Sequence, residues 1–492
     1  MRYVLGADIG TTRAKCLLFD ERGTLASSAF EDYPCLRPRE GWSEQRPEDW
    51  WNAFVAAARR ALSQIDGPCD VTAISLSTQG GTLVPVDGAG EPLCNAIVWN
   101  DSRGEAERRE LAETLGAKAV YQKTGWHLGS GLNAVQILNL RRNRADVYNR
   151  AWKFLSVPDY MSLRLTGRCA IDPSNAGINQ LSDIDKNAWD PDILAAIGIT
   201  PGHLAEIAES GETVGRLTQE AADALGISRD ALLVTGGHDQ YCCAMGAGAI
   251  RGGNILLGTG TCWVVVGISE KRPHNHSVSR HTVRGLWGEL NSHESGGGAL
   301  EWFRDALGPT PRADYVQMDH MIGEVPPGAN GATFYPYLTG SSCPENRDDL
   351  RGALIGLSAR STRWDAARAV MEGVCFQTAW MMENFSAARR SQICMTGGAV
   401  NSAAWVQMMA DIAGCSISVP AVADAGCMGA AALAGAASGL YPSVEEAVRL
   451  FNRSERIVRP DAHREMYQAL FAQYKRNYAY LSRFQRMNCA TT

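Results

Sequence analysis

Residues 3–19, YVLGADIGTTRAKCLLF, decide the fold. Tyr3 to Asp8 is short, apolar and closed by a glycine turn, so it reads as a strand. Lys15 to Phe19 reads as a second strand, and Gly10-Thr11-Thr12-Arg13 joins the two. The unit is strand–turn–strand. A P-loop needs a glycine-rich turn that feeds a helix and a following Gly-Lys-Ser/Thr, and neither is present. Asp8 ends the first strand beside Gly10, Thr11 and Thr12. A carboxylate there can hold a hydrated Mg²⁺, while glycine amides and threonine hydroxyls can cradle phosphate oxygens. The same Asp could equally turn its side chain onto local backbone.

A second segment has the same grammar. Asn254 to Leu257 is apolar, Gly258-Thr259-Gly260-Thr261 follows, and Trp263 to Ile268 is rich in strand formers. One such unit in each half implies two domains of similar construction. We place them at residues 1–247 and 248–492, with the boundary near Gly246 to Gly253. Elsewhere strands and helices alternate. Helical spacing over Trp50 to Ile65 precedes a strand at Val71 to Leu76. A strand at Leu232 to Thr235 runs into Gly236-Gly237-His238-Asp239-Gln240. Trp364 to Phe385 is helical, Ile393 to Met395 a strand, Trp405 to Ala413 helical, and Ser416 to Val419 a strand. The alternation predicts α/β layers with largely parallel sheets.

The 492 residues carry 47 Lys plus Arg against 53 Asp plus Glu, a net charge of −6 without a basic run. That excludes the electrostatic footprint of nucleic-acid binding. The 14 cysteines lie mostly in apolar runs and form no C-x-x-C pair, so they read as buried thiols in a reducing cytosol. Met1 to Gly10 lacks the pattern of a signal peptide, and Gly426 to Tyr441 is too broken by Ala and Gly for a membrane span. The expectation is a soluble, cytoplasmic protein with no nucleic-acid or membrane partner. Glycine is raised to 50 residues while proline stays at 20, so the glycines do not read as linker.

Several glycine turns sit beside residues that carry chemistry. Asp239 follows Gly236-Gly237 and opens a small-residue helix, Gln240 to Gly248. It reads either as a functional carboxylate at a helix N-terminus or as a plain N-cap. Gly258 to Thr261 and Gly397-Gly398-Ala399-Val400-Asn401-Ser402 end strands, where open α/β sheets bind ligands. Ser295-Gly296-Gly297-Gly298 leads into the helical Glu301-Trp302-Phe303-Arg304. Trp99-Asn100-Asp101-Ser102-Arg103 follows the strand Ala96 to Val98 and combines a ring, an amide, a carboxylate and a guanidinium. Such sets suit hydroxyl-rich ligands, or form an ordinary solvated loop. Ser77-Thr78-Gln79-Gly80-Gly81-Thr82 is a comparable polar loop.

Taken in order, these segments resemble the FGGY carbohydrate kinases of the actin-like ATPase superfamily, from Gly6 to about Leu440. Asp8-Ile9-Gly10-Thr11-Thr12 is similar to the family's first phosphate motif. Trp42-Ser43-Glu44-Gln45 with Pro47 and Trp50-Trp51 resembles the early loop shared by xylulokinases and glycerol kinases, and the Trp99 to Arg103 segment resembles the xylulokinase branch. Gly237-His238-Asp239-Gln240 resembles the motif bearing the catalytic aspartate. Tyr337-Leu338-Thr339-Gly340 through Glu372-Gly373 is close to the second signature, with Ala366 at a usually larger position. Gly397-Gly398-Ala399 with Gln407 to Asp411 looks like the adenine-side motif. Asp172-Pro173-Ser174-Asn175-Ala176-Gly177 resembles both the xylulose and the autoinducer-kinase branches. The chain departs from the family at Gln136 and Asn139, where a Lys and a Trp are usual. It departs again at Gly80-Gly81, where xylulokinases carry Met-His and glycerol kinases Arg-Glu.

The resemblance implies an α/β fold of two actin-like (ribonuclease H-like) ATPase domains with a ligand cleft between them. The N-terminal domain would bind sugar and the C-terminal domain nucleotide. It implies an enzyme that uses ATP and Mg²⁺ to phosphorylate a primary hydroxyl of a small sugar, a ketopentose such as xylulose. Another polyol, a tetrulose or an autoinducer-type substrate are the alternatives. A non-catalytic sugar-binding regulator and an actin-like ATPase are the readings from other classes. Asp239 would be the base, and Asp8 with Asp239 would hold the metal. Gly10, Thr11, Thr12, Gly258 and Thr259 would bracket the phosphates. Gly297, Glu301, Gly397, Gly398, Asn401 and Ser402 would line the nucleoside side. Gln79, Gly80, Gly81, Trp99, Asn100, Asp101 and Gln240, with Asp239, would meet the sugar. A homodimer is common in the family.

Overall fold

The computed structural model describes residues 1–309, 311–386, 392–453 and 455–489. It divides into two compact units. The first holds Met1–Arg251, Ile268–Glu289 and Asp424–Arg453; the second holds Gly252–Gly267, Leu290–Ala423 and Ser454–Thr492.

In the first unit, β1 (Arg2–Ile9), β2 (Arg13–Asp20) and β3 (Leu25–Asp32) form an antiparallel run. The polar turn Gly10 to Thr12 links β1 to β2 as strand–turn–strand. Helix α1 (Pro47–Leu62) starts on proline, carries Glu48 and Asp49 in its first turn and Arg59 and Arg60 in its last. These charges complement the helix dipole. Its buried face, with Trp50, Phe54, Ala57 and Ala61, belongs to the core of this unit. Strand β4 (Asp70–Thr78) then pairs parallel with β1. Further along lie α2 (Asn133–Asn143), α3 (Pro173–Ile178), β5 (Thr213–Arg216), β6 (Leu232–His238) and α4 (Asp239–Gly246). The sheet order is β5-β6-β4-β1-β2-β3, with β6 parallel to β4. Parallel pairing aligns Asp8 with Ser77 and His238 with Thr78. The carboxyl ends of three strands, where ligands bind in open sheets, are therefore adjacent.

The second unit repeats the plan. β7 (Asn254–Thr259) pairs antiparallel with β8 (Trp263–Ser269) and parallel with β9 (Gln392–Gly397). Helices α5 (Gly297–Ala306), α6 (Tyr315–Gly323), α7 (Arg363–Glu383) and α8 (Ala403–Ala413) belong to it. β10 (Ile417–Val419) and β11 (Arg456–Val458) extend its sheet. The segment most specific in sequence serves packing. Glu372 Oε1 accepts from Gly328 N–H, Arg368 Nε and Tyr467 O–H, each at 2.9 Å. A Cβ on Gly373 would lie 2.1 Å from Phe334 O. Signature residues here hold α7 against the short strand Thr333–Tyr335.

One expected turn is a strand. Gly236 and Gly237 continue β6 to His238, with a register irregularity between Val234 and Gly237. A Cβ on Gly236 would lie 1.8 Å from Leu76 O, so the glycine permits close strand pairing. Among the described residues no helix is long and apolar enough to cross a membrane, and no described cysteine forms a disulfide.

The alanine-rich helix Ala425–Ala437 packs on β1, β4 and α4 within the first unit. A Cβ on Gly6 would lie 2.0 Å from Cys427 O, and one on Gly429 would lie 2.1 Å from Cys242 O. The contact is backbone against backbone and cannot be relieved by a rotamer change. Gly429→Ala should destabilise the protein by about 1–3 kcal/mol through overpacking. Gly88→Ala, where a Cβ meets nothing within 4 Å, should leave the thermal unfolding midpoint unchanged. Equal midpoints for the two variants would refute the close-approach argument.

Candidate functional site

Two carboxylates define the active end of the first sheet. Asp8 accepts a hydrogen bond from Ser77 Oγ at 2.6 Å. Asp239 opens α4 and keeps 30% of its side chain exposed. The plain N-cap role falls instead to His238, whose Nδ1 accepts from Gln240 N–H at 3.3 Å. Burial pushes Asp8 up to about 6, with the Asp239 charge as the second cause. Burial pushes Asp239 up to about 6 against the opposing hydrogen bonds of Gln240. Burial alone lowers His238 to about 4, with Asp172 acting in the other direction.

Sequence reasoning missed three residues that frame this pair. Lys15 faces Asp8 across the β1–β2 hairpin, and its Nζ donates to Asp424 Oδ1 at 2.6 Å. Gly426, in the helix that Asp424 starts, comes so near that a Cβ would lie 3.0 Å from Ser77 Oγ and 3.2 Å from Asp8 Oδ1. Strand alternation could have flagged Lys15. Asp424 had no signal, because over 400 residues separate it from its partner.

The Asp172 to Gly177 segment is a buttress. Asp172 caps α3, accepting from Ser174 N–H and Asn175 N–H. Ser174 Oγ accepts from His238 N–H at 2.9 Å, and Asn175 Nδ2 donates to Thr78 Oγ1 at 3.3 Å. The ends of β4 and β6 are thereby tied to one short helix.

On the expected sugar side, Gln79 is 2% exposed. Its Nε2 donates to Gln45 Oε1 at 2.8 Å, while its Oε1 is buried without a partner. Gly81 has φ of +67°, which favours glycine, and Leu132 fills the place of its Cβ. Trp99 is half-exposed, with its Nε1 3.4 Å from Thr11 Oγ1. Asn100 is exposed and Gln240 half-buried. Asp101 is buried, and its oxygens accept from Ser43 N–H at 2.7 Å and from Arg103 Nε at 2.9 Å. Its charge orders the loop that displays Trp99. Gly10 hydrogen-bonds through its N–H to Arg13 O, and Tyr33 O–H and Gln45 Nε2 donate to the carbonyls of Gly10 and Thr11. Thr12 stays exposed. The departures on α2 are absorbed locally: Gln136 Nε2 donates to Ser130 O and Asn139 Nδ2 to Glu107 Oε2.

The second unit contains a cavity of about 500 Å³. Thr259, Gly297, Glu301, Gly398, Asn401 and Ser402 line it, with Trp263, Tyr315, Asp319 and Trp405. Gly258 lies inside β7, and Gly397 shapes the wall from behind. Gly397 has φ of +92°, and a Cβ there would lie 2.5 Å from Thr259 O. Thr259 Oγ1 accepts from Ala399 N–H at 3.2 Å, and Gly297 N–H donates to Gly260 O at 3.0 Å. Aromatic walls with a few polar groups and glycine turns suit a planar base carrying phosphates.

The carboxylate pair fits a hydrated divalent cation. Asp8 and Asp239 supply hard oxygen donors, and their mutual repulsion is what a cation would relieve. Among the described residues no group of three or more His, Cys, Asp or Glu could hold a metal by protein ligands alone.

Comparison with known proteins gives a consistent result. Residues 3–246 match the N-terminal domain model of the FGGY family of carbohydrate kinases, and residues 253–438 match the C-terminal one. The chain is 29% identical over 489 residues to a xylulose kinase of Bacillus subtilis (strain 168), covering 98% of this chain and 97% of that one. It is 30% identical over 490 residues to a glycerol kinase of Delftia acidovorans, covering 94% and 96%. The crystal structure of xylulose kinase from Rhodospirillum rubrum superposes with a TM-score of 0.90 at 25% identity, covering 99% and 100%.

The raised carboxyls have a thermodynamic consequence. Each binds its proton more tightly in the folded chain, near 6, than at the ordinary 3.8. The folded state therefore holds more protons between those values, and stability falls as pH rises through that window. Asp8→Asn in metal-free buffer should flatten that fall and raise stability at pH 7 by roughly 1–3 kcal/mol. Denaturant unfolding across pH 4 to 8 checks this, and a variant less stable than the parent at pH 7 would contradict it.

Proposed function

Since the chain belongs to the FGGY family of carbohydrate kinases, and so transfers a phosphoryl group from ATP to a sugar, we propose that the sugar is a ketopentose, xylulose first. The observation that carries the mechanism is Asp239, a carboxylate at the end of a parallel strand, tuned to about 6. A general base works best with a pKa near the operating pH.

In this reading the first unit serves the acceptor. Gln79, Trp99 and Gln240 orient the sugar, and Asp239 takes the proton of its primary hydroxyl as that oxygen attacks phosphorus. General-base help contributes on the order of 10²–10⁴-fold. Asp8 and Asp239 would hold Mg²⁺, which when bound supplies positive charge against the phosphates. Lys15 leaves that need unmet, because its own charge is paired with Asp424. The second unit serves the nucleotide. Thr259, Gly297, Gly398, Asn401 and Ser402 would receive it in the 500 Å³ cavity. Positioning supplies the larger share of the rate, as in phosphoryl transfer generally.

The ketopentose assignment is supported by full-length similarity to xylulose kinases and by the Trp99 to Arg103 loop. A coupled ADP-release assay over D-xylulose, L-xylulose, D-ribulose, erythrulose, glycerol, gluconate and the autoinducer tests it. The expected result is highest kcat/KM on a ketopentose, and a preference for glycerol or gluconate would overturn it. Asp239→Ala should lower kcat by about 10²-fold or more while nucleotide affinity holds. Retained turnover in that variant would remove Asp239 as the base.

A further inference from the structure

His238 has a position that its helix cap does not require. It is 6% exposed, and its ring lies over Gly80. A Cβ on Gly80 would lie 2.4 Å from His238 Cδ2 and 2.9 Å from Nε2. The space that a side chain at residue 80 would occupy is already filled, from the neighbouring strand. The backbone of His238 is fixed by its pairing with Thr78 and by its N–H bond to Ser174 Oγ. Trp126 and Tyr241 border the ring at centroid distances of 6.3 and 5.6 Å.

The ring's two nitrogens differ. Nδ1 is engaged at the helix start, 3.3 Å from Gln240 N and 3.2 Å from Asp239 Oδ1, while Nε2 faces Gly80. The polar contacts of the ring within the described residues are both at Nδ1. Gln79, the chain neighbour of Gly80, buries an unpartnered Oε1. The orphaned amide oxygen is costly unless a ligand pairs with it, and Nε2 stands at the same glycine to meet that ligand. A hydroxylated molecule carries both complements.

We propose that His238 is a specificity-determining residue of the acceptor site, its ring closing the space above Gly80 and its Nε2 hydrogen-bonding a sugar hydroxyl, with Gln79 Oε1 accepting from a hydroxyl. This rests on the sugar-kinase reading. It also explains how the loop does without a side chain at residue 80. The ring takes the volume and brings the polar atom, beside the base. A site built on such a bond rejects acceptors lacking the oxygen by ~10⁴ or more.

Steady-state kinetics of the full chain on the same sugars test this. His238→Gln keeps an amide donor near Nε2, His238→Asn places one near Nδ1, and His238→Ala keeps neither. His238→Ala and His238→Asn should raise KM for the preferred sugar by about tenfold or more and compress the preference among sugars. His238→Gln should retain that preference, and KM for ATP should be unchanged in all three. A uniform loss of kcat/KM on every sugar would mean a merely structural role and would overturn the proposal. Gly80→Ala should lose activity by collision with the ring, and Gly80→Ala with His238→Gly should recover about tenfold of it, a non-additive cycle. Additive losses would also overturn it. Wild-type protein inactive on every sugar would remove the kinase reading and this proposal together. Active wild type with unshifted His238 variants would remove this proposal alone.

Discussion

The helix Ala425–Ala437 lies against β1 and α4 only because the facing positions carry no side chain. Gly6, Gly246 and Gly429 each stand where a Cβ would meet backbone at 2.0, 1.9 and 2.1 Å. Close approach of this kind places atoms within a few tenths of an ångström and leaves little room for adjustment. It brings Asp424 onto Lys15 and Gly426 beside Asp8 and Ser77. The carboxylate centre of the first unit is thus held by a segment that the chain adds after building most of the second.

Charge explains what that centre is for. Asp8 and Asp239 stand in one partly enclosed place, and the nearby cation is already paired with Asp424. Two like charges in such a place cost stability, and a bound cation would relieve them, a common trade between stability and activity. The second unit is lined differently, with Glu301 and Asp319 set among apolar and small residues. Its cavity is walled by rings and small turns, and its polar contacts are set by Thr259 and the 398–402 turn. Two copies of one hairpin-and-strand plan have been put to different chemical uses.

Much of this was legible in the sequence because local rules govern it. The β1–β2 hairpin, the second hairpin and the strand-end glycines follow from apolar runs punctuated by Gly and Thr. Thr259, Gly297, Glu301, Gly398, Asn401 and Ser402 were found on that basis and share a cavity. Other residues fell outside local rules. Gly236 and Gly237 look like a turn, yet strand pairing against Leu76 draws them into β6. Asp101 looks like a ligand contact, but its oxygens are taken by Ser43 and Arg103. Asp424 and His238 gained their roles only from partners distant in the chain.

The sequence by itself determined the class of fold, the family and the two candidate carboxylates. Alternating hydrophobicity, turn chemistry and short motifs are properties of neighbouring residues, and they survive in one dimension. Only the tertiary structure decided which groups keep free valence. Strand register set Asp8 beside Ser77, a returning helix neutralised Lys15, and a ring from β6 filled the space above Gly80. Burial and pairing are sums over all neighbours in space, so no reading along the chain could assign them.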